Sequence, residues 1–223
     1  MARPTFEDEG IPLALVDAWD LHTTWPALGD VAGVLVLGGA MNVDQVEDFP
    51  FLARERELLR DALGRGMPVF GVCLGAQLMA RAMDEPVIRA PARSIGFLPV
   101  SPTPEAVADP LFSAFRPGAR AFHWNEDTCG LPRDAVRLVT GVGGSVEAYR
   151  AGPAAWGALF HPEVDGPELE GWFREAGPDL KRVWGRSTEE LNAEAGKHLG
   201  EHVRRGRELF RRFGRQLKEA RGA

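Results

Sequence analysis

Short apolar runs alternate with helical patterns in the first half of the chain. Three runs contain almost no polar residues, namely PLALVDA, VAGVLVLGG and MPVFGVC, which is typical of strands buried on both faces of a sheet. Two segments carry apolar residues at helical spacing, FLARERELLRDALGRG before the third run and LGAQLMARAM after it. This order predicts an α/β fold in which helices cover both faces of a parallel sheet.

The middle of the chain has a different pattern. Short apolar runs follow one another there, with Gly, Pro and Asp between them and few helical stretches. The runs are SIGFLPVS, ARAFHWNED, AVRLVTG, SVEAYRAG and AAWGALFHPEV. They predict antiparallel strands in the second half of the fold.

The last part of the chain predicts a long helix. Ser187 is followed three residues later by Glu190, the signature of a capping box, so the helix should begin near Ser187. Farther along, large apolar residues recur at helical spacing beside many arginines, namely Leu209, Phe210, Phe213 and Leu217. This amphipathic pattern favours docking on the preceding domain or on a second subunit, as in a homodimer, over contact with nucleic acid or an acidic membrane. We divide the chain into a domain over residues 1–177 and a C-terminal helical extension over residues 178–223.

Composition narrows the class of protein. The chain has 223 residues, of which 44% are hydrophobic, and its net charge of −6 argues against nucleic acid as a partner. Its two cysteines, Cys73 and Cys129, are too few for a disulfide scaffold and favour a reducing cytosol. Acidic residues in MARPTFEDEG stand where a signal peptide has its apolar core, and the longest apolar stretch, residues 31–41, is shorter than the ~20 residues of a membrane span. We therefore expect a cytoplasmic protein that makes no membrane contact.

The segment PVFGVCLGAQLMA places a cysteine where a predicted strand passes into a predicted helix. Gly71 and Gly75 flank Cys73 as they would in a nucleophile elbow with Cys in place of Ser. The helix N-terminus favours a thiolate at this point, and its free N–H groups can donate to an oxyanion. The alternative is that Cys73 is a small buried hydrophobic residue, as most free cysteines are.

A second segment, ALFHPEV, supplies a histidine and a carboxylate. If the segment is extended, His161 and Glu163 point to the same side, and Pro162 restricts the backbone between them. A carboxylate that orients the imidazole, and an imidazole that exchanges a proton with Cys73, would complete a Cys-His-Glu triad. Taken alone, His-Pro-Glu is also typical of a surface turn. The presence of both motifs in one α/β chain favours the triad.

A third segment, VLVLGGAMNVDQ, ends a predicted strand in Gly38 and Gly39. Backbone N–H groups at the carboxyl edge of an open α/β sheet face the place where ligands bind. Gly39 is therefore a candidate second oxyanion donor beside the N–H of Leu74. A tight turn without any binding role is an equally good interpretation of the two glycines.

Four segments together resemble a class I glutamine amidotransferase, close to the free-standing proteins related to the amidotransferase domain of GMP synthase. The segments are LVLGGAMNVDQVEDFPFL, PVFGVCLGAQLMARAM, FHWNEDTCGLP and FHPEV, and the resemblance runs from about Phe6 to Phe173. It implies a flavodoxin-like three-layer sandwich with a mainly parallel central sheet. It also implies hydrolysis of the glutamine side-chain amide, with release of ammonia, through a γ-glutamyl thioester.

The same resemblance implies roles for individual residues. Cys73 would be the nucleophile, His161 the general base and acid, and Glu163 the residue that orients His161. The groups that would stabilise the oxyanion or hold glutamine are Gly38, Gly39, Leu74, Gln77, Trp124 and Asn125. No cofactor or metal is implied, and the chain contains no phosphate-binding G-x-x-x-x-G-K-[ST] motif, so an ammonia-accepting synthetase would be a separate protein.

The chain departs from this family at several positions. Related proteins usually read H-W-H-G-D where this chain has HWNED, with Asn125 and Glu126, and they have Gln where this chain has Leu159. They have Glu before Ile-Gly where this chain has Ser94, and they carry a first strand and helix that are absent or shortened here. Two alternatives to glutamine hydrolysis therefore stay open: hydrolysis of another γ-glutamyl compound, and a catalytically silent binding or regulatory subunit.

Remaining candidate groups are interpreted as structural. The segment KHLGEH has the H-x-x-E-H order of one class of zinc proteases, with His198, Glu201 and His202, but Gly200 weakens the helix, and a solvated helix face is the preferred interpretation. Cys129 has no elbow around it and is taken as structural. The tryptophans are taken as core or edge packing, and among them only Trp124 lies inside a candidate motif.

Overall fold

The computed structural model describes residues 1–20 and 22–222. The strands are β1 (Val34–Val36), β2 (Val69–Val72), β3 (Val87–Pro99), β4 (Ser101–Pro102), β5 (Arg120–Cys129), β6 (Val136–Thr140), β7 (Val146–Ala151) and β8 (Ala155–Ala158). The α-helices are α1 (Ala2–Asp8), α2 (Phe51–Gly64), α3 (Leu74–Ala82), α4 (Gly166–Ala176), α5 (Asp179–Trp184) and α6 (Thr188–Gly222). Short 3₁₀ turns cover Leu28–Asp30, Pro104–Ala108, Phe112–Ala114 and Val142–Gly144.

Within the described residues, the larger sheet has six strands in the order β1-β2-β8-β7-β6-β4. The pairs β1–β2 and β2–β8 are parallel, and the pairs from β8 through β7 and β6 to β4 are antiparallel. As a result β1, β2, β8 and β6 all run in one direction. The predicted α/β fold, with parallel strands first and antiparallel strands in the second half, is confirmed.

Strands β3 and β5 form a separate antiparallel pair. Their register shifts between Arg89 and Ser94, so β3 bulges away from β5 before the pairing resumes at Asn125. The sequence indicated only the second part of β3, from Ser94 onward. The pair matters for the site because β5 carries the segment HWNED.

Both faces of the larger sheet are apolar, and the central strand β2 shows why. Val69 lies in a core with Leu59 of α2 and Leu78 of α3. Phe70, the next residue, lies in the core on the opposite face, where its ring centroid is 5.7 Å from that of Phe213 in α6. Because successive strand residues face opposite sides of a sheet, burial on both sides requires an uninterrupted apolar run.

The long C-terminal helix begins as predicted. The hydroxyl of Ser187 accepts a hydrogen bond from the Glu190 N–H at 3.2 Å, and the Glu190 carboxylate accepts one from the Ser187 N–H at 2.8 Å, which completes the capping box. The apolar face of α6 packs on the same chain, with the rings of Phe210 and Phe213 5.9 and 6.3 Å from that of Phe6 in α1. No helix in the described ranges combines the length and apolar character needed to cross a membrane.

The prediction of a first strand over PLALVDA is wrong. Residues 12–18 form no strand and make no backbone hydrogen bond with β1 in the described chain, and Leu15 is 64% exposed. This segment and the edge strand β1 instead line one cavity of about 930 Å³. An apolar run becomes a strand only where its backbone pairs with a neighbour, and periodicity alone does not report that pairing.

Candidate active site

Cys73 lies on a sharp turn between β2 and α3. Its φ of 51° and ψ of −109° belong to the left-handed side of backbone space, where a residue with a Cβ is strained. Two glycines make the turn possible. A methyl group on Gly71 would lie 2.6 Å from the backbone of Gly75, and one on Gly75 would collide with the carbonyl oxygen of Val36. The structure therefore contains the nucleophile-elbow geometry that the sequence predicts.

The backbone of Cys73 is fixed from both sides of the elbow. Its N–H donates to the Ala158 carbonyl at 2.7 Å, and its own carbonyl accepts from the Gln77 N–H at 3.0 Å. The side chain is 5% exposed, at the N-terminus of α3. The sulfur therefore lies at the positive end of the helix dipole.

His161 and Glu163 form a buried pair. Nδ1 of His161 lies 2.7 Å from Oε1 of Glu163, and the two residues are 4% and 7% exposed. The other ring nitrogen, Nε2, is buried and has no hydrogen-bond partner in the described part of the chain. Nδ1 is thus held by the carboxylate, and Nε2 is left available for another group.

The expectation that these two residues lie in an extended segment is wrong. Residues 162 and 163 form a turn after the end of β8, and the Val164 N–H lies 3.5 Å from the His161 carbonyl. The carboxylate still reaches the imidazole, because a turn also brings side chains two residues apart together. The contact is as predicted, but its backbone cause is different.

Gly38 lies against both the histidine and the cysteine. A methyl group in its place would be 3.0 Å from Cε1 of His161 and 3.4 Å from Cβ of Cys73. Burial by itself lowers the pKa of His161, but the charges of Glu163 and Cys73 outweigh it and hold the pKa well above its ordinary value. The fold therefore brings Cys73, His161 and Glu163 together, and the raised pKa favours the protonated form of the His161 imidazole.

Two backbone N–H groups lie next to this cluster. Leu74 is the first residue of α3, and Gly39 follows β1; a methyl group on Gly39 would be 2.8 Å from the Leu74 side chain, so the two residues are neighbours. Neither N–H donates a hydrogen bond to another residue within the described ranges. They are the candidates for a pair of oxyanion donors.

Comparison with known families shows which family the chain belongs to. The family model described as glutamine amidotransferase class-I matches residues 8–171. The chain belongs to this family. The resemblance expected from the four sequence segments is confirmed.

Individual relatives agree with this membership. The chain is 25% identical over 194 residues to the glutamine amidotransferase-like protein YfeJ of Salmonella typhimurium, which is 84% of this chain and 81% of that protein. It is 28% identical over 202 residues to γ-glutamyl-L-1-hydroxyisopropylamide hydrolase of a Pseudomonas species, which is 86% of this chain and 64% of the hydrolase. A crystal structure of a glutamine amidotransferase from Thermotoga maritima matches with a TM-score of 0.84 at 24% identity, over 96% of this chain and 91% of that one. This last match shows a shared fold.

Two residues that the amidotransferase resemblance assigned to substrate binding meet at one carbonyl group. The side-chain amides of Gln77 and Asn125 both donate to the backbone oxygen of Asp127, each at 3.0 Å. Gln77 is only 4% exposed, so in this structure its amide holds the end of β5. Oδ1 of Asn125 is buried without a hydrogen-bond partner in the described chain.

Sequence reasoning missed the neighbours of Asp127. Asn42, which follows the two glycines after β1, donates from its side chain to the Asp127 carboxylate at 2.8 Å. Arg89 lies 3.7 Å from the same carboxylate and also pairs with Glu126. Asn42 could have been identified from the sequence, because it is a polar residue that closely follows Gly38 and Gly39. Arg89 could not, because the bulge in β3 that places it has no clear sequence pattern.

Trp124 and Trp172 pack against one aromatic cluster, and Trp172 also lies beside His161. Trp124 is half-buried among aromatic rings, with its centroid 5.8 Å from those of Trp172 and Trp184, and so it packs in the core. Trp172 of α4 meets His161 edge-to-face, with ring centroids 5.1 Å apart. Sequence reasoning treated Trp172 as packing only, although α4 starts directly after the segment that contains Glu163.

The interpretation of KHLGEH as a solvated helix face is wrong for His202. This residue is 2% exposed, and its Nε2 lies 2.9 Å from the carbonyl oxygen of His161. His198, one turn earlier, is partly buried, and its ring centroid is 5.9 Å from that of Phe97. Both histidines therefore pack on Phe97, and His202 in addition contacts the His161 carbonyl.

Proposed function

We propose that the protein hydrolyses the side-chain amide of glutamine through a γ-glutamyl thioester on Cys73, and so releases ammonia. The observation that carries this proposal is the position of His161, whose Nδ1 is held by Glu163 while its ring lies against Cys73. A nucleophile, a proton-transfer group and an orienting group in this arrangement can perform acyl transfer. Membership in the class I glutamine amidotransferase family supports the choice of substrate.

The first half of the reaction forms the thioester. The Cys73 thiolate attacks the amide carbon, and the carbonyl electron pair moves onto oxygen, where the N–H groups of Gly39 and Leu74 stabilise the negative charge. When the tetrahedral intermediate collapses, the C–N bond breaks, and the His161 imidazolium gives its proton to the departing nitrogen, which leaves as ammonia. The raised pKa of His161, which the charges of Glu163 and Cys73 cause against the effect of burial, keeps that proton available at neutral pH.

The second half of the reaction regenerates the enzyme. His161 is now neutral and takes a proton from a water molecule as the water oxygen attacks the thioester carbon. The C–S bond breaks, glutamate leaves, and the thiolate and imidazolium are restored. The proposal therefore needs neither a metal nor a cofactor.

A second candidate substrate is a γ-glutamyl amide other than glutamine. Glu126 occupies the pocket segment where related amidotransferases have Gly, and it pairs with Arg89 and Arg93 from the bulge of β3. These charged side chains change the surface beside Asn125. A relative that covers most of this chain is named as a hydrolase of a γ-glutamyl amide with a larger amine.

We also propose that ammonia from glutamine would be used by a synthetase on a separate chain. The support is that class I amidotransferase domains also occur within larger enzymes. GMP synthase of Aeropyrum pernix matches 86% of this chain over only 37% of its own length.

The test compares amide substrates with the purified protein. Ammonia or amine release is measured with glutamine, with γ-glutamyl amides of larger amines and with asparagine, each against the Cys73→Ala variant. Ammonia from glutamine that depends on Cys73 supports the first candidate, and faster release of larger amines supports the second. If no γ-glutamyl amide is hydrolysed above the Cys73→Ala control, the hydrolase proposal fails and the silent binding subunit takes its place.

A further inference from the structure

We propose that His202 of α6 is a positioning residue that holds His161 against Cys73. The inference rests on the proposed function in one respect, namely that the Cys73–His161 pair is the reactive centre. Helix α6 lies beyond residues 8–171, the part of the chain that the family model matches.

The backbone of His161 is held from two sides by distant elements. Its N–H donates to the carbonyl of Phe122 in β5 at 2.8 Å, and its carbonyl accepts from Nε2 of His202 at 2.9 Å. The local turn contributes only the 3.5 Å contact from the Val164 N–H. The backbone position of His161 therefore depends on β5 and α6 more than on its own turn, while Glu163 of that turn holds the imidazole.

His202 is suited to a permanent donor role. Burial lowers the pKa of His202 to about 3, and the charge of Arg205 acts in the same direction. The ring is therefore neutral under functional conditions and carries one N–H. Since the His161 carbonyl can only accept, that proton is assigned to Nε2.

The helix approaches the His161 turn closely enough to keep this bond in place. A methyl group on Gly206 would collide with the carbonyl oxygen of Pro162, so α6 lies directly against the turn. Arg205 donates to the carbonyl of Arg120 at 2.7 Å, which ties α6 to β5, the strand that holds the other side of His161. His202 also meets the ring of Phe97 edge-to-face at 5.5 Å.

The experiment compares two substitutions of similar length. His202→Gln keeps an N–H donor near the position of Nε2, whereas His202→Met keeps the length and has no donor. His198→Leu is the matched control, because His198 lies one turn earlier on α6 and also packs on Phe97, and no hydrogen bond joins its ring to the His161 turn in the described chain. Two readouts are taken: the rate of Cys73 alkylation by iodoacetamide at neutral pH, followed by mass spectrometry, and kcat and KM for the best amide substrate.

We expect His202→Met to lower the Cys73 alkylation rate and kcat by about tenfold or more, with KM changed by less than about twofold, because a small displacement of the imidazole weakens both ionisation and proton transfer. His202→Gln should recover most of both losses, and His198→Leu should match the wild type. If His202→Met does not fold, His202→Asn, whose amide is too short to reach the carbonyl, replaces it.

The inference is overturned if the Met and Gln variants alkylate and turn over at the same rate, or if His198→Leu has the same effect as His202→Met. Alkylation requires no substrate. The two failures are therefore distinguishable. If the proposed function is wrong, the wild type has no amidase activity; if this inference is wrong, His202→Met leaves the reactivity of Cys73 unchanged.

Discussion

The described part of the chain contains two buried histidine–carboxylate pairs, and the contrast between them shows what makes one a candidate for chemistry. In the first, Nδ1 of His161 is 2.7 Å from Glu163. In the second, Nε2 of His123 is 2.9 Å from Glu147, and His123 is 2% exposed. Burial and hydrogen-bond distance alone do not separate the two pairs.

The difference lies in the atoms that each pair leaves unused. Nδ1 of His123 lies 2.9 Å from the Ala121 carbonyl, and the Glu147 carboxylate also accepts from the Ser145 hydroxyl at 2.7 Å. In the other pair, Nε2 of His161 and Oε2 of Glu163 are both buried without a partner in the described residues. A pair whose groups are satisfied stabilises the fold, whereas a pair with a free ring nitrogen beside a cysteine can move a proton.

The largest effect on kcat should come from removing Nε2 of His161. His161→Asn keeps a donor toward Glu163 but has no group that faces Cys73, so we expect kcat to fall by about 10³–10⁴ in the hydrolysis of the best γ-glutamyl amide. His123→Asn is the comparison, and steady-state kinetics should show a change of less than about threefold in kcat for this variant. Equal losses in both variants would contradict the assignment of different roles to the two pairs.

A smaller effect is expected from the two carboxylates. Glu163→Gln should lower kcat by about 10²-fold, because the imidazolium loses its stabilising charge, while Glu147→Gln should leave kcat within about threefold of the wild type. The two variants are compared by the same kinetic assay. A Glu163→Gln variant with wild-type kcat would remove Glu163 from the proposed mechanism.

The pH profile sharpens the same comparison. Burial lowers the pKa of His161, but the charges of Glu163 and Cys73 raise it more, so its proton is bound more tightly in the folded chain than in the unfolded one. The contribution of that proton to the free energy of unfolding is fully present below the ordinary histidine pKa of about 6.5. It is lost as the pH rises through the raised pKa of His161. The alkaline limb of kcat/KM should therefore move to lower pH in Glu163→Gln, and an unmoved limb would show that Glu163 does not set the proton affinity of His161.

Substitutions in the His123–Glu147 pair should have the smallest effect on kcat and a clear effect on stability. Glu147→Gln and His123→Asn leave buried polar groups unpaired, so we expect each to lower the free energy of unfolding by about 1–3 kcal/mol. Urea denaturation measures this change. Unaltered stability would show that the His123–Glu147 pair contributes little to the fold.

The sequence could predict those parts of the site that local pattern determines. The elbow at Cys73 follows from a buried strand, two glycines and a helix, and the start of α6 follows from Ser187 and Glu190. Within each of these two features, the residues lie within a few positions of one another in the sequence. Prediction of residues 12–18 as a strand failed because a strand depends on a pairing partner elsewhere in the chain. The contacts of His161 with Trp172 and His202 were also missed, because they join elements far apart in sequence.

The two cysteines provide the most direct test of the central claim that His161 activates Cys73. Cys73 and Cys129 are 5% and 4% exposed, so access to reagent is closely matched. Burial, together with the charges of Glu85 and Glu147, raises the pKa of Cys129 to about 12, and this residue should therefore stay a thiol. Iodoacetamide labelling of the native protein, followed by mass spectrometry, should show Cys73 reacting about a hundredfold faster than Cys129, with most of that advantage lost in His161→Asn. Equal and slow labelling of both cysteines, or a Cys73 rate that is unchanged in His161→Asn, would contradict the claim.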